Sequence, residues 1–289
     1  MTMNYKWIWL LPFALSLVFF ACKPADDKYT SPKGYDFQNP EKFSMPESLL
    51  EISGIAFNQG RADTIYSVQD EDGRLFSQAW GIKKQHSLKF AKNGDYEDLA
   101  IANQTVFMLK SSGSIFSFPL TEAQSEKTGL TKEWKNLLPK EEYEGMYADE
   151  AGQQLFVLCK ECKTDKKSST ATGYVLNIQD STQIVASSTF SIDLAPLKAL
   201  GQEVKKGLKA SALSKHPKTG EWFILSSAHK LLIIATADWK IKEAHRLDSS
   251  SFNQPEGIAF DTANNLYISN EGDELTAGNI LKFNYKSLN

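Results

Sequence analysis

A short phrase repeated along the chain restricts the fold more than anything else in the sequence. Each copy starts with a polar or acidic residue, followed in most copies by a small residue and then by alternating apolar residues. The five copies begin at Ser53, Glu97, Glu144, Ser211 and Glu256, in steps of 44, 47, 67 and 45 residues. A period near 45 residues is typical of a four-stranded propeller blade. The sequence therefore predicts an all-β chain, folded as a β-propeller of five four-stranded blades.

Three further strands are predicted after most of these phrases. They are short, rich in β-branched and aromatic residues, and separated by turn signals such as Asp72-Gly73 and Asn264-Asn265. Second strands are predicted at 64–68, 105–109, 155–158, 222–225 and 266–269. Third strands are predicted at 74–78, 114–118, 173–178, 231–235 and 279–284. Fourth strands are predicted at 86–90, 132–137, 184–192 and 241–247.

The fifth unit has no fourth strand of its own, because too few residues follow its third strand. Segment 41–46, ahead of the first phrase, is predicted to fill that place and close the ring. Closure of this kind removes the open edges of the sheets. The alternative is six blades, with a degenerate blade hidden in the 67-residue step. That step also contains a predicted helical insertion at 195–206.

The first 21 residues are predicted to be a secretory signal peptide. Lys6 supplies a positive start, and the apolar stretch at 7–20 is shorter than the span of about 20 residues that a bilayer needs. Ala21 directly precedes Cys22, as in a bacterial lipobox, so we predict cleavage before Cys22 and acylation of its thiol. Phe20 departs from the lipobox pattern, and an ordinary signal peptide or an uncleaved anchor are the alternatives.

The predicted organisation after the signal peptide is a tether followed by one domain. Residues 22–40 are charged and show no apolar periodicity, which indicates a lipidated linker, and residues 41–289 form the propeller. Two or three acyl chains on one cysteine, palmitate among them, anchor a protein stably to a bilayer. We therefore expect a lipoprotein of the bacterial cell envelope, attached through its lipid to the outer membrane or on the periplasmic face.

Several of the repeated phrases also resemble a known family. They are LEISGIA at 50–56, YEDLA at 96–100, YEG at 143–145 and QPEGIA at 254–259. These runs are similar to the SdiA-regulated family, which is related to the NHL and SMP-30-type propellers, and the resemblance extends over about residues 43–286. The resemblance implies a β-propeller that is periplasmic or attached to a membrane.

The residues that open the five phrases are the candidate ligand-binding residues. The first strand of each propeller blade lines the central channel, so the predicted site comprises Ser53, Glu97, Glu144, Ser211 and Glu256, with Asp98 beside Glu97. The ends of the second strands add Asp70, Asn270 and Glu271, together with Lys110 and Lys160. Crowded carboxylates require compensation by a bound cation, by raised pKa values or by nearby lysines.

Calcium is the candidate cofactor for such a site. Oxygen ligands from several blades suit Ca²⁺, which accepts six to eight of them in flexible geometry. The resemblance to SMP-30-type propellers likewise implies a divalent ion on the channel axis. The alternative is that Lys110 and Lys160 neutralise the glutamates directly, so that the channel is polar without binding a metal.

A single CxxC pair, Cys159 and Cys162, falls at the end of a predicted second strand. No βαβ pattern surrounds it, and no second ligand pair accompanies it to complete a zinc site. A local disulfide is the prediction for an oxidising envelope, and buried free thiols are the alternative.

The sequence indicates a binding function more than a catalytic one. Gly-x-Ser-x-Gly, His-Glu-x-x-His and P-loop motifs are absent, so no catalytic residue is assigned. A net charge of -3 does not provide the basic face that a nucleic acid would need. We therefore expect a module that binds an unknown protein or small-molecule ligand. The alternative is a calcium-dependent hydrolase or lactonase of the SMP-30 type that uses the channel carboxylates.

Overall fold

The structure is a computed structural model that describes residues 29–165, 169–180 and 183–287. The predicted signal peptide, Cys22 and the first part of the tether lie outside these residues. Within the described ranges, no helix has the length and apolar character needed to cross a membrane.

Five four-stranded antiparallel sheets make up the described part of the chain. Blade 1 contains β2 (Ile52–Asn58), β3 (Arg61–Gln69), β4 (Arg74–Gln78) and β5 (His86–Lys89). Blade 2 contains β6 (Tyr96–Ala102), β7 (Thr105–Lys110), β8 (Ile115–Pro119) and β9 (Lys132–Trp134). Blade 3 contains β10 (Glu142–Asp149), β11 (Gln154–Glu161), β12 (Thr170–Asp180) and β13 (Gln183–Asp193). Blade 4 contains β14 (Ala212–Lys215), β15 (Trp222–Ser226), β16 (Leu231–Ala235) and β17 (Ile241–Arg246). Blade 5 contains β18 (Gln254–Phe260), β19 (Leu266–Glu271), β20 (Asn279–Phe283) and β1 (Glu41–Ser44).

The ring is closed by the N-terminal strand, as predicted. Strand β1 pairs antiparallel with β20, with Phe43 opposite Ile280, so the two ends of the domain share one sheet. The inner strands β2, β6, β10, β14 and β18 contact one another in cyclic order around the channel. The prediction of five blades is confirmed, and the six-blade alternative is wrong.

The 67-residue step is filled by longer elements of blade 3 and by an irregular connection. Strands β12 and β13 have 11 residues each. The predicted helical insertion at 195–206 is wrong in extent, because the α-helix α1 spans only Pro196–Ala199. Gly201 has a φ of +73°, in the left-handed region that ends a helix, and Leu197 is the buried residue of α1. Two short 3-10 helices, Glu47–Leu49 and Leu120–Gln124, are the other helical elements of the described residues.

One apolar cluster lies between each pair of neighbouring blades. Phe43 and Tyr267 of blade 5 pack with Ile55 of blade 1, and Phe223 of blade 4 packs with Ile268 of blade 5. The remaining clusters join blades 1 and 2, blades 2 and 3, and blades 3 and 4. Each sheet therefore buries apolar side chains on both faces, which explains the continuous apolar runs in many of its strands.

The small residue in each phrase is explained by the close approach of the inner strands. A Cβ atom at Gly257 would lie 2.6 Å from the carbonyl oxygen of Ser53 in blade 1. A Cβ atom at Gly145 would likewise lie 3.1 Å from the carbonyl carbon of Ala212 in blade 4. The inner strands of a five-bladed ring approach one another so closely that this position has no room for a larger side chain at these blade contacts.

Substitution of Gly257 tests this explanation. We expect Gly257→Ala to lower the free energy of unfolding by about 1–3 kcal/mol, because the added methyl overpacks the contact between blades 5 and 1. Urea unfolding is the measurement, and Gly129→Ala is the control, because a Cβ atom there meets nothing within 4 Å. Equal midpoints for the two variants would contradict the explanation.

Candidate binding site

The residue that opens a phrase occupies a β-bulge in four of the five blades. The pairing register of the inner strand shifts at or beside Ser53, Glu97, Glu144 and Glu256. A bulge leaves a residue out of the regular ladder and redirects its side chain. In blade 4 the equivalent residue, Ser211, lies directly before β14. The repeated residues therefore share one end of the channel, where the inner strands begin and the second strands end.

We call this end the acidic mouth and define it by five carboxylates from four blades. They are Asp70 of blade 1, Glu97 of blade 2, Glu144 of blade 3, and Glu256 and Glu271 of blade 5. The charge of Glu256 acts on both Glu97 and Glu271, so carboxyl groups of blades 2 and 5 lie within electrostatic range of one another. The charge of Asp70 also acts on Glu271. The structure thus brings together most of the acidic residues that the sequence singled out.

Burial and mutual repulsion raise the pKa values of these carboxyl groups. Burial, reinforced by the Asp95 carboxylate, raises the pKa of Glu97 to about 8. Burial and the charge of Glu256 raise the pKa of Glu271 to about 8, and burial and nearby acids raise the pKa of Asp70 to about 6. The pKa of Glu256 is also raised by burial. The free protein therefore holds carboxyl groups that resist ionisation near neutral pH.

Lysine side chains compensate only part of this acidity. The ammonium group of Lys160 forms an ion pair with Glu144, whose side chain is 7% exposed. The other lysine considered from the sequence, Lys110, instead places its ammonium nitrogen 5.3 Å from the ring centroid of Tyr96. Among the described residues, Asp70, Glu97, Glu256 and Glu271 form no ion pair within 4.0 Å.

Three neighbours of the acidic mouth were missed by sequence reasoning. Glu51, directly before β2, acts on both Asp70 and Glu271, and Asp95 acts on Glu97. The ammonium group of Lys230 donates to the carbonyl oxygen of Asn253, and burial lowers its pKa. The pairing of β2 with β3 would have pointed to Glu51, because that pairing places residue 51 opposite residue 70. Nothing in the sequence marks Lys230.

Two predicted site residues are used in contacts between blades. Asp98 takes the place that a small residue fills in the other phrases, and its carboxylate is deeply buried. Its oxygens accept the backbone N–H of Leu99 at 2.8 Å and of Met146 in blade 3 at 2.7 Å, although burial raises its pKa well above the usual range. The hydroxyl of Ser211 donates to the carbonyl oxygen of Pro255 at 2.8 Å and joins blades 4 and 5.

Three buried oxygens of the predicted site have no hydrogen-bond partner among the described residues. They are Oγ of Ser53, Oδ1 of Asp70 and Oδ1 of Asn270. Ser53 is 1% exposed, and Asn270 is fully buried with its amide nitrogen 3.2 Å from Oδ1 of Asn279. An unpaired buried acceptor is unfavourable by about 1–3 kcal/mol. Asp70 is the half-buried residue of the three, so its carboxylate is the one that lies nearest to solvent.

The predicted calcium site stays a prediction. Within the part of the chain that the structure describes, no three His, Cys, Asp or Glu side chains are grouped so that they could hold a metal ion. The carboxylates of the acidic mouth are instead spread over several blades, and the cation in contact with Glu144 is the Lys160 ammonium group. A ligand with several N–H donors fits carboxylates that are spread over several blades more closely than a single metal ion does.

Cys159 and Cys162 are joined in a disulfide at the end of β11, with their Cα atoms 5.8 Å apart. Both residues are 2% exposed and lie in the apolar cluster between blades 2 and 3. Between them lie Lys160 and Glu161, the last two residues of β11, and an oxygen of Glu161 lies 3.0 Å from the ammonium group of Lys209. The disulfide therefore encloses the lysine that contacts the acidic mouth.

Beyond the acidic mouth the channel becomes apolar. A cavity of about 260 Å³ opens along the inner strands, and its wall includes the third residue of every phrase. These residues are Ile55, Leu99, Met146, Leu213 and Ile258. At its far end the wall of this cavity is polar again, because it includes Glu150, Lys215 and Asp261.

The fold and this site define a five-bladed β-propeller with an acidic channel mouth. The SdiA-regulated family model matches residues 41–274, and the chain belongs to that family. A comparison with curated proteins finds no match.

Solved structures support the fold alone. The chain is similar to a luciferin-regenerating enzyme, with a TM-score of 0.51 at 10% identity over 85% of this chain and 95% of that one. It also resembles virginiamycin B lyase from Staphylococcus aureus, with a TM-score of 0.42 at 11% identity over 86% of this chain and 75% of that one.

The raised pKa values predict how stability depends on pH. A carboxyl group whose pKa is higher in the folded state is most favourable to folding when protonated, so its contribution falls as the pH rises from about 4.5 toward 8. We expect the double variant Glu97→Gln, Glu271→Gln to be more stable than the wild type at pH 9 by at least about 1 kcal/mol, since one pKa unit corresponds to about 1.4 kcal/mol.

Urea unfolding at pH 5 and pH 9 is the measurement for this prediction. The difference between the double variant and the wild type should grow with pH, whereas Glu150→Gln at the opposite end of the channel should leave the pH dependence unchanged. A double variant that is less stable than the wild type at pH 9 would show that burial and neighbouring acids do not disfavour the ionised forms of Glu97 and Glu271 in the folded protein.

Proposed function

We propose that this protein is an envelope lipoprotein whose propeller binds ligands carrying ammonium or guanidinium groups at the acidic mouth. The ligand is a polyamine or the lysine and arginine side chains of a protein partner, because both present the same cationic N–H donors. The observation that carries the proposal is the excess of carboxylates at the mouth. Five buried or half-buried acids have one directly paired lysine among the described residues.

The energetics of the mouth favour a cation. Ionisation of Glu97 and Glu271 is suppressed in the free protein, and an opposite charge within about 4–6 Å restores the ionised form of a carboxyl group. A bound ammonium group would also donate to the unpaired oxygen of Asp70. Charge-assisted hydrogen bonds of this type are about twice as strong as neutral ones.

The rigid propeller suits a binding module, because it presents the mouth without a conformational change. Lipid attachment at Cys22 would hold the module close to a membrane surface, because Tyr35 and Phe37 of the predicted tether are buried against blades 4 and 5. A propeller fold by itself does not specify chemistry, so the proposal depends on the mouth and not on the fold.

Titration calorimetry with spermidine at pH 8.5 tests the ligand class. We expect heat from the wild type and at least about tenfold weaker binding by the double variant Asp70→Asn, Glu271→Gln, because removal of each charge takes away an attraction of about 1 kcal/mol or more. Binding by the wild type should also weaken at pH 6, where the carboxyl groups of Glu97 and Glu271 are protonated.

The control for this titration is Glu150→Gln, which removes a carboxylate from the opposite end of the channel. Equal affinities for all three proteins, or no heat from the wild type, would overturn the proposal. A parallel titration with CaCl₂ addresses the alternative. Calcium binding that is lost in the double variant, without spermidine binding, would favour the metal-dependent hydrolase or lactonase instead.

The lipid anchor has its own test. In bacteria that express the full chain, we expect labelled palmitate to be incorporated into the wild type and into Cys159→Ala, Cys162→Ala, but not into Cys22→Ser. The wild type should stay in the membrane fraction after a carbonate wash, because acyl chains bind the bilayer by hydrophobic burial. Retention of the label by Cys22→Ser would refute acylation at this cysteine.

A further inference from the structure

Among the lysines that the structure describes, Lys160 is the one in direct contact with a carboxylate of the acidic mouth. Its ammonium group contacts Glu144 of blade 3, and its charge also acts on Glu97 of blade 2 and on Glu256 and Glu271 of blade 5. The ammonium group thus contacts one carboxylate of the acidic mouth, and its charge acts at longer range on three others. An incoming cation would have to share these carboxylates with Lys160.

The backbone around Lys160 is held from several directions. The disulfide joins Cys159 to Cys162 and so closes a four-residue ring that contains Lys160 and Glu161. Glu161 is tied to Lys209, which lies in the connection between blades 3 and 4. On the other side, Cys159 pairs with Tyr143 and Glu161 pairs with Glu142, across the bulge that carries Glu144. These contacts fix the main chain of the lysine relative to its acidic partner.

The geometry points to a specific role for this assembly. We propose that Lys160 is a built-in competitor for cations at the acidic mouth, and that the Cys159–Cys162 disulfide positions it against Glu144. This inference deepens the proposed cation-binding function and rests on it. The competitor sets the affinity and restricts the site to ligands that bring more than one positive charge, because a single charge would merely exchange with the lysine.

The disulfide acts as a fixed brace in this arrangement. Both half-cystines are 2% exposed and packed in the apolar cluster between blades 2 and 3, where a reductant in solution has little access. A lysine on an open turn would lose more side-chain and backbone freedom when it pairs with Glu144. The disulfide ring already restricts the main chain of Lys160, so pairing with Glu144 costs less conformational entropy. The ion pair is therefore favoured over a bound ligand.

Spermidine titration of four proteins tests the role of Lys160. We expect Lys160→Gln to bind spermidine at least about tenfold more tightly than the wild type, because Glu144 is released and the competing charge is removed. The double variant Glu144→Gln, Lys160→Gln loses one charge of each sign, so its affinity should return to within about threefold of the wild type. Cys159→Ala, Cys162→Ala should lie between the wild type and Lys160→Gln.

The double variant also guards against a folding artefact. Lys160→Gln leaves the buried Glu144 carboxylate without its partner and is expected to be less stable, whereas the double variant replaces the pair by two neutral amides. Near-ultraviolet circular dichroism of each protein confirms folding before titration. If Lys160→Gln does not fold, the disulfide variant and the double variant still measure the competition.

The outcomes separate the two proposals. Spermidine binding by the wild type, with equal or weaker binding by Lys160→Gln, would overturn the competitor and leave the cation-binding function standing. An affinity of Cys159→Ala, Cys162→Ala equal to that of the wild type would overturn the positioning role of the disulfide. The absence of binding by all four proteins would refute the cation-binding function itself. Binding by Lys160→Gln alone would support the competitor in its strongest form.

Discussion

The close approach of five inner strands around one axis is the constraint on which the rest of the structure depends. At Gly257 and Gly145 the neighbouring backbone lies where a side chain would begin, so these blades meet main chain against main chain. In blade 2 the carboxylate of Asp98 takes this place and accepts N–H bonds from its own strand and from blade 3. A wider ring would leave these contacts open. The inner strands are therefore accommodated in two ways, by small residues such as Gly145 and Gly257 and by the buried carboxylate of Asp98.

The acidic mouth is a consequence of the same crowding. Where the inner strands begin, bulges release one residue per blade from the regular ladder, and three of these residues are glutamates. The narrow ring then brings carboxylates from different blades near enough to act on one another. Repulsion of this kind lowers the stability of the free protein. Under the proposed function a gain in binding offsets this loss, because active and binding sites commonly retain groups that disfavour the free state.

The blades could be predicted from the sequence because each one is encoded locally. The repeated phrase, the strand lengths and the need for β1 to complete blade 5 all follow from periodicity and from the avoidance of open sheet edges. The helix predicted at 195–206 was too long because Gly201 adopts a left-handed φ of +73°, which ends α1 after about one turn. Pairing of the glutamates of the acidic mouth with Lys110 and Lys160 was an alternative that the sequence offered, but which of the two lysines forms the pair could not be predicted, since both stand at the ends of second strands. In the structure the ammonium group of Lys110 lies over the ring of Tyr96. The ammonium group of Lys160, which the disulfide encloses, contacts Glu144.

The two proposals follow from one electrostatic argument. A mouth with uncompensated carboxylates would attract any cation, whereas full neutralisation by lysines would leave it inert. Lys160 produces an intermediate state, in which Glu144 is paired and three other carboxyl groups are affected by its charge at longer range. A ligand gains from such a mouth only if it supplies charge beyond that of the lysine it displaces. Selectivity for multiply charged cations thus arises from a single internal lysine, because specificity is a difference between competing affinities.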